Sequence, residues 1–354
     1  MNPTISNNLF NVIDHDVTFY NSKDGITLSG TLSIPESTNS QKKPAVVILI
    51  AGSGPFDRDC TQMNGQKLFV TIADYFTQHG IAVLRYDKRG IGKSGGDFNT
   101  AFTFDFAQDV AAGIQFLKQN RSDIDTHNIG LVGHSEGGLI SFIVASQSHD
   151  LAFIVSMAGA VVTKIDDVLL QTELQFKASG ATDDFIAFDK KIRKQILETV
   201  ITLSIDDAQK KLPTMVKQYI ARMTDKQKAL AESLSPFAFT EENYEQWIAM
   251  FNTIWRVYLL SNPMDFISKV TIPVLAIHGE LDFIVYSQLA LPIIGQGLKI
   301  AGNKDVTIIP IPHQNHSFQQ CNTGAIDEYD TIKETIHEST LKLMTDWILS
   351  KTAQ

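Results

Sequence analysis

The stretch Asn128-Ile-Gly-Leu-Val-Gly-His-Ser135-Glu-Gly-Gly-Leu-Ile-Ser-Phe-Ile-Val-Ala-Ser146 joins a short apolar run to a longer one through a serine set between glycines. Gly133-x-Ser135-x-Gly137 has the spacing of a nucleophile elbow, a sharp strand-to-helix turn that lifts the hydroxyl clear of the backbone. The flanking glycines remove side chains where backbone must pass close by. Such a turn needs a strand before it and a helix after it. Residues 129–132 supply the strand, and residues 138–146, apolar on nearly every face, read as a buried helix. Ser135 is therefore the candidate nucleophile. The same spacing recurs in Gly92-Lys-Ser94-Gly-Gly96, but Lys88, Arg89 and Gly90 separate it from the preceding apolar run, and no helical pattern follows. Ser94 is read as a loop residue.

Working outward, the same alternation of strand and helix appears on both sides. Residues 16–20 and 26–34 alternate in polarity around Asp24-Gly25, a hairpin signal, and should form an antiparallel edge. Residues 44–51 and 81–86 are β-branched runs of the kind buried on both faces of a parallel sheet. Between them Leu68, Phe69, Ile72, Ala73 and Phe76 recur at helical spacing, ending at Gly80. Ala107, Val110, Ala111, Ile114 and Leu117 mark the next helix, and residues 151–157 the next strand. The regularity stops at Gly159. Residues 161–262 lack a buried strand but carry helical spacing, and resume into strands at 272–277 and 305–311 with a helix near 288–298 between. A last helix is expected over about 328–350, with Ile332, Ile336, Met344, Trp347 and Ile348 inward. The reading is an α/β fold: a mostly parallel central sheet flanked by helices, with right-handed crossovers and a helical cap inserted after the sixth strand. The expected division is 1–160 and 263–354 for the catalytic domain and 161–262 for the cap, or lid.

The totals narrow the function. The chain has 354 residues, 44% of them hydrophobic, enough to fill a sizeable core. A formal net charge of -9 without a basic run argues against nucleic-acid or anionic-membrane partners, which require clustered Lys and Arg. Two cysteines, Cys60 and Cys321, point to a reducing compartment rather than a disulfide framework, although both lie near segments assigned to the site and their pairing stays open. The first ten residues show neither a basic start nor an apolar stretch of signal-peptide length, and no run approaches the roughly 20 apolar residues of a membrane span. The expectation is a cytoplasmic protein with a small-molecule substrate; association between copies of the chain is left open.

A serine hydroxyl becomes an effective nucleophile when a base takes its proton and a carboxylate fixes the base. Open α/β sheets place such groups at the carboxyl ends of strands. His278-Gly-Glu-Leu-Asp282 leaves one strand, giving Asp282 as the acid with Glu280 as the alternative. Pro310-Ile-Pro-His313-Gln-Asn-His316 ends the next, giving His316 as the base with His313 as the alternative. The order Ser, Asp, His is that of α/β-hydrolases. His134 is read as packing. The oxyanion that develops in acyl transfer needs N–H donors. The backbone N–H groups of Glu136 and Ser53, the latter in Gly52-Ser53-Gly54 after the first parallel strand, are the candidates.

These motifs together resemble the α/β-hydrolases of the serine-aminopeptidase-like and acyl-esterase branch: Ala-Gly-Ser-Gly-Pro-Phe-Asp57-Arg58-Asp59, Arg85-Tyr-Asp-Lys-Arg-Gly-Ile-Gly-Lys-Ser94, Gly-His-Ser135-Glu-Gly, Gly-Glu-Leu-Asp282 and Asn-His316-Ser-Phe. The resemblance covers the chain on both sides of the insertion. It implies a serine hydrolase with a helical cap, no cofactor, and esterase activity on short or medium acyl chains, with thioester or small-peptide hydrolysis by the same residues as the alternative. A hydrolase fold kept as a non-catalytic ligand-binding module is the alternative from another class. Asp57, Arg58, Asp59, Asp87 and Arg89 are read as loop-fixing ion pairs. Gly90-x-Gly92-x-x-Gly95 copies a dinucleotide fingerprint, but no helix follows to present its amino end to a phosphate. His313, His316 and Cys321 lack metal-ligand spacing, so no metal is expected.

Overall fold

The computed structural model of the protein describes residues 10–36, 43–62 and 64–352; the amino-terminal stretch 1–9 discussed above lies outside them. Eight strands form one sheet in the order β1-β2-β4-β3-β5-β6-β7-β8. β1 (Val12–Asn21) and β2 (Ile26–Pro35) are an antiparallel hairpin, and β2 joins β4 (Ala82–Tyr86) antiparallel. From β4 the sheet is parallel through β3 (Val46–Ile50), β5 (Ile129–His134), β6 (Phe153–Met157), β7 (Val274–Gly279) and β8 (Val306–Ile311). Every residue of β3 to β7 is buried because both faces are covered.

Successive side chains of a strand point to opposite faces, and β3 divides accordingly. Val46, Ile48 and Ile50 join one apolar cluster, Val47 and Leu49 the other. The first cluster takes in α2 (Thr103–Asn120) and α3 (Glu136–Ala145); the second takes in α1 (Leu68–Gln78) and a carboxyl-terminal helix, Glu338–Thr352. The chain between β6 and β7 is helical: α4 (Ile165–Ala178), α5 (Asp183–Thr202), α6 (Ile205–Ala221), α7 (Asp225–Ser233), α8 (Tyr244–Met250), a π-helical turn at Phe251–Trp255, α9 (Arg256–Leu260) and the short α10 (Met264–Ile267). Side chains of Thr182, Ser204 and Thr224 cap α5, α6 and α7. Phe176, Phe185, Leu212 and Phe239 of this insertion belong to the same cluster as α2 and α3, so the core of the insertion is continuous with theirs.

After β7 come α11 (Ser287–Ile300), β8, α12 (Ile326–Tyr329) and α13 (Glu338–Thr352). The expected single helix over 328–350 is thus corrected to two. Side chains compete for the backbone between them: Gln66 Nε2 donates to the carbonyls of Ile332 and Glu334, and Gln319 Nε2 to that of Glu334. Ile332 is consequently half-buried in a loop rather than on a helical face. No helix among the described residues is long and apolar enough to cross a membrane.

Candidate active site

Ser135 stands between β5 and α3 with φ 57° and ψ -119°. That backbone region is strained for any residue with a Cβ. Three hydrogen bonds hold it there: its N–H donates to Met157 O at 2.9 Å, and its carbonyl accepts from the N–H groups of Gly138 and Ala160 at 3.0 Å each. The glycine spacing is a steric requirement of the turn. A Cβ at Gly133 would lie 2.1 Å from Gly137 O, and one at Gly137 would lie 2.0 Å from Ile50 O.

The loops after β7 and β8 bring Asp282 and His316 together. His316 Nδ1 lies 2.7 Å from Asp282 Oδ2, and the carboxylate is fully buried. Asp282 Oδ1 accepts the N–H groups of Ile284 and Val285 at 2.9 and 2.8 Å, so both oxygens are committed and the carboxylate cannot swing. The two loops touch because Gly279 has no side chain: a Cβ there would meet the carbonyls of Gln314 and Asn315 at 2.3 and 2.5 Å. His316 is fixed through its backbone as well. Its N–H donates to Tyr329 Oη at 3.0 Å and its carbonyl lies 2.9 Å from His134 Nε2. No hydrogen bond joins Ser135 Oγ to His316, although both line one cavity. Neither alternative takes part in the pair. Glu280 accepts the backbone N–H of His313, and His313 is exposed.

Glu136 is the first residue of α3, whose opening N–H groups have no partner within the helix. Ser53 lies on the wall of the cavity that Ser135 also lines. Lys88 Nζ donates to Gly52 O at 2.9 Å. In a trans peptide the N–H points opposite the carbonyl, so this bond turns the Ser53 N–H away from Lys88. Among the described residues, neither the Ser53 nor the Glu136 N–H donates to a backbone acceptor. Lys88 is buried, 3.6 Å from Glu136 Oε2 and 3.9 Å from the centroid of the Phe106 ring. Burial lowers its pKa, against the raising effect of Glu136. The other Glu136 oxygen accepts from Thr103 Oγ1 at 2.7 Å. One buried cation therefore ties the Gly52 loop to the start of α3.

The charged residues around this loop are occupied with one another. Arg58 pairs with Asp87 at 2.8 Å, Arg89 with Asp109 and Asp24 at 2.8 Å each, and Arg85 with Asp59; Asp57 accepts the N–H of Thr61 at 3.0 Å. Ser94 Oγ donates to Asp87 O at 2.7 Å inside a loop. Cys60 and Cys321 are both free and buried, and burial drives their thiols up to about 12 and about 11. His134 does more than pack: it braces the His316 backbone, and burial drives its pKa down to about 3. His278, with no hydrogen-bond partner on either ring nitrogen among the described residues, is driven down to about 4 by burial. Sequence reasoning passed over Lys88 and His278. The only signal for Lys88 was its place between Asp87 and Arg89 just past a strand end.

Ser135, His316 and Ser53 open on a cavity of about 670 Å³, roofed by Trp247, Phe251 and Trp255 of the insertion. Its size is that of a small-molecule site, and its wall is mainly apolar. Residues 24–291 match the model of the X-Pro dipeptidyl-peptidase (S15) family. The chain belongs to that family. This S15 member has the fold of the α/β-hydrolases. It is 32% identical to dipeptidyl peptidase 8 of Mus musculus over 150 residues, 41% of this chain and 16% of that protein. It is 29% identical to esterase EstD of Thermotoga maritima over 171 residues, 48% of this chain and 40% of that protein. The S15 chain thus matches less than half the length of either relative. Its fold is similar to that of the α/β-hydrolase GrgF from Penicillium sp. sh18, with a TM-score of 0.57 and 17% identity over 97% of this chain and 100% of that one.

Proposed function

We propose that this S15 chain is a serine hydrolase that cleaves carboxylic esters of short or medium acyl chains. Ser135 Oγ attacks the acyl carbon while His316 Nε2 takes its proton, and Asp282 holds the imidazole with Nδ1 protonated. The N–H groups of Ser53 and Glu136 stabilise the oxyanion. His316 then protonates the departing alcohol, and water, deprotonated by the same nitrogen, releases the acid and restores Ser135. Contact between Ser135 and His316 forms as substrate settles, since such hydrogen bonds are commonly loose in a free enzyme. The catalytic part is 1–160 with 263–354, and 161–262 is a lid over the site. The observation that carries the reading is the 2.7 Å pair of His316 with a fully buried Asp282, on the wall of the cavity that holds Ser135.

Membership of a dipeptidyl-peptidase family favours a second reading, amide hydrolysis by the same residues; the same residues could also cleave thioesters. Matched p-nitrophenyl esters and p-nitroanilides of one acyl group separate ester from amide. Turnover of the ester alone supports an esterase, and comparable rates on the anilide support a peptidase. Loss of all turnover in Ser135→Ala is expected on either. Retained turnover in that variant sinks both, and a folded wild-type chain that binds esters without cleaving any would make it a binding module.

A further inference from the structure

The cavity wall changes character where α4 and α5 meet it. Gln171 and Gln175 are one turn apart on α4, on the face that also presents Val168 to the cavity. Each is only 5% exposed. Gln171 Oε1 accepts the N–H of Tyr286 at 3.2 Å, whereas its Nε2 and both side-chain polar atoms of Gln175 bond to no group among the described residues. Both side chains line the cavity. From α5, Arg193 reaches the same wall although it is 2% exposed.

Arg193 is held rigidly. Its Nε and Nη2 bond to the two oxygens of Asp189 at 2.7 and 3.1 Å, and Nη2 also donates to Phe237 O at 3.0 Å. Its guanidinium carbon lies 4.4 Å from the Phe239 ring centroid. Tyr219 Oη donates to Asp189 Oδ1 at 3.1 Å, so both carboxylate oxygens are engaged. Nη1 alone has no partner among the described residues. The wall therefore offers two kinds of preorganised donor, Arg193 Nη1 and glutamine amide nitrogen, together with one amide oxygen as acceptor.

We propose that this patch of Gln171, Gln175 and Arg193 is a subsite for a neutral amide group in the part of the substrate that fills the cavity. The inference rests on the cavity beside Ser135 being the substrate site. An alkyl chain there would leave the donors dry and unpaired, a cost that falls on the complex. A carboxylate would shed its water against a cation already neutralised by Asp189 at 2.7 Å. An amide matches the wall: its carbonyl accepts a charge-assisted bond from Arg193, and its N–H donates to a glutamine oxygen.

The test needs no turnover. Quenching of tryptophan fluorescence, sensitive because Trp247 and Trp255 line the cavity, would follow binding of N-butylacetamide, hexanoate and 1-chlorohexane to the full chain. The amide is expected to bind about tenfold or more tightly than either analogue, the worth of one hydrogen bond to a charged group. Gln175→Leu, with Gln171→Leu as a second variant should the first not fold, is expected to lower that ratio about two- to tenfold, the worth of a neutral hydrogen bond. Hexanoate or chlorohexane binding as tightly as the amide, or an unchanged ratio in a folded variant, overturns the subsite. A chain that keeps the ranking but cleaves neither ester nor anilide would remove the hydrolase reading and leave the subsite standing. A chain that cleaves esters without the ranking would remove the subsite alone.

Discussion

Ser135 presents its hydroxyl to the cavity at the cost of a positive-φ backbone, strain of order 1–3 kcal/mol, and the bonds to Met157, Gly138 and Ala160 hold it there. At this scale the proposed mechanism makes a direct demand. Asp282→Asn keeps a carbonyl oxygen for the N–H groups of Ile284 and Val285 but favours the wrong imidazole tautomer. It should lower kcat about 10⁴-fold with the fold retained; steady-state kinetics beside circular dichroism would check it, and a loss under tenfold would contradict the role. A second prediction concerns acid. His134 and His278 are driven from 6.5 to about 3 and about 4 in the folded chain, so both stay neutral there while the unfolded chain takes up their protons below 6.5. The unfolded state binds more protons in that window, so stability is full above pH 6.5 and is lost as pH falls toward 4. His278→Leu removes one such proton. The slope of unfolding free energy against pH should fall by up to about 1.4 kcal/mol per unit, measured by urea denaturation from pH 7 to 5.

At the scale of elements, the loop after β3 and the start of α3 meet through Lys88, which reaches Gly52 O and Glu136 at once. Lys88→Met strands a carboxylate in the core and should cost about 3–5 kcal/mol. Adding Glu136→Gln should recover part of that loss, and denaturant titration of the single and double variants distinguishes this coupling from simple loss of packing. Periodicity made the strands and most helices legible: β-branched runs at 44–51 and 81–86, and apolar spacing over 68–76 and 107–117, fall on β3, β4, α1 and α2. It misled at 328–350. The spacing of Ile332 and Ile336 looked helical, but the carbonyls there are taken by Gln66, whose side chain comes from the far end of the chain. No local pattern encodes a competitor 266 residues away.

At the scale of the whole molecule, the cavity belongs to no single element: the sheet rim supplies its floor and the insertion its roof. Its apolar wall should make itself felt in substrate length. Each added methylene that finds contact is worth about 0.8 kcal/mol, roughly fourfold in kcat/KM, so activity on p-nitrophenyl esters is expected to climb from acetate to medium chains. A flat series would mean that the acyl group does not enter the cavity.

The order of the strands and of most helices, the steric need for glycine on either side of Ser135, and the strand-end positions of Asp282 and His316 were settled by the sequence, because each depends on residue types a few positions apart. Folding alone decided which carboxylate meets His316, where Lys88 is buried, and which polar side chains of α4 and α5 open on the cavity. Those outcomes depend on what the rest of the chain brings to the same place: a hydrogen bond across 34 positions, or a cation removed from water, is set by distance in space, which one-dimensional spacing does not contain.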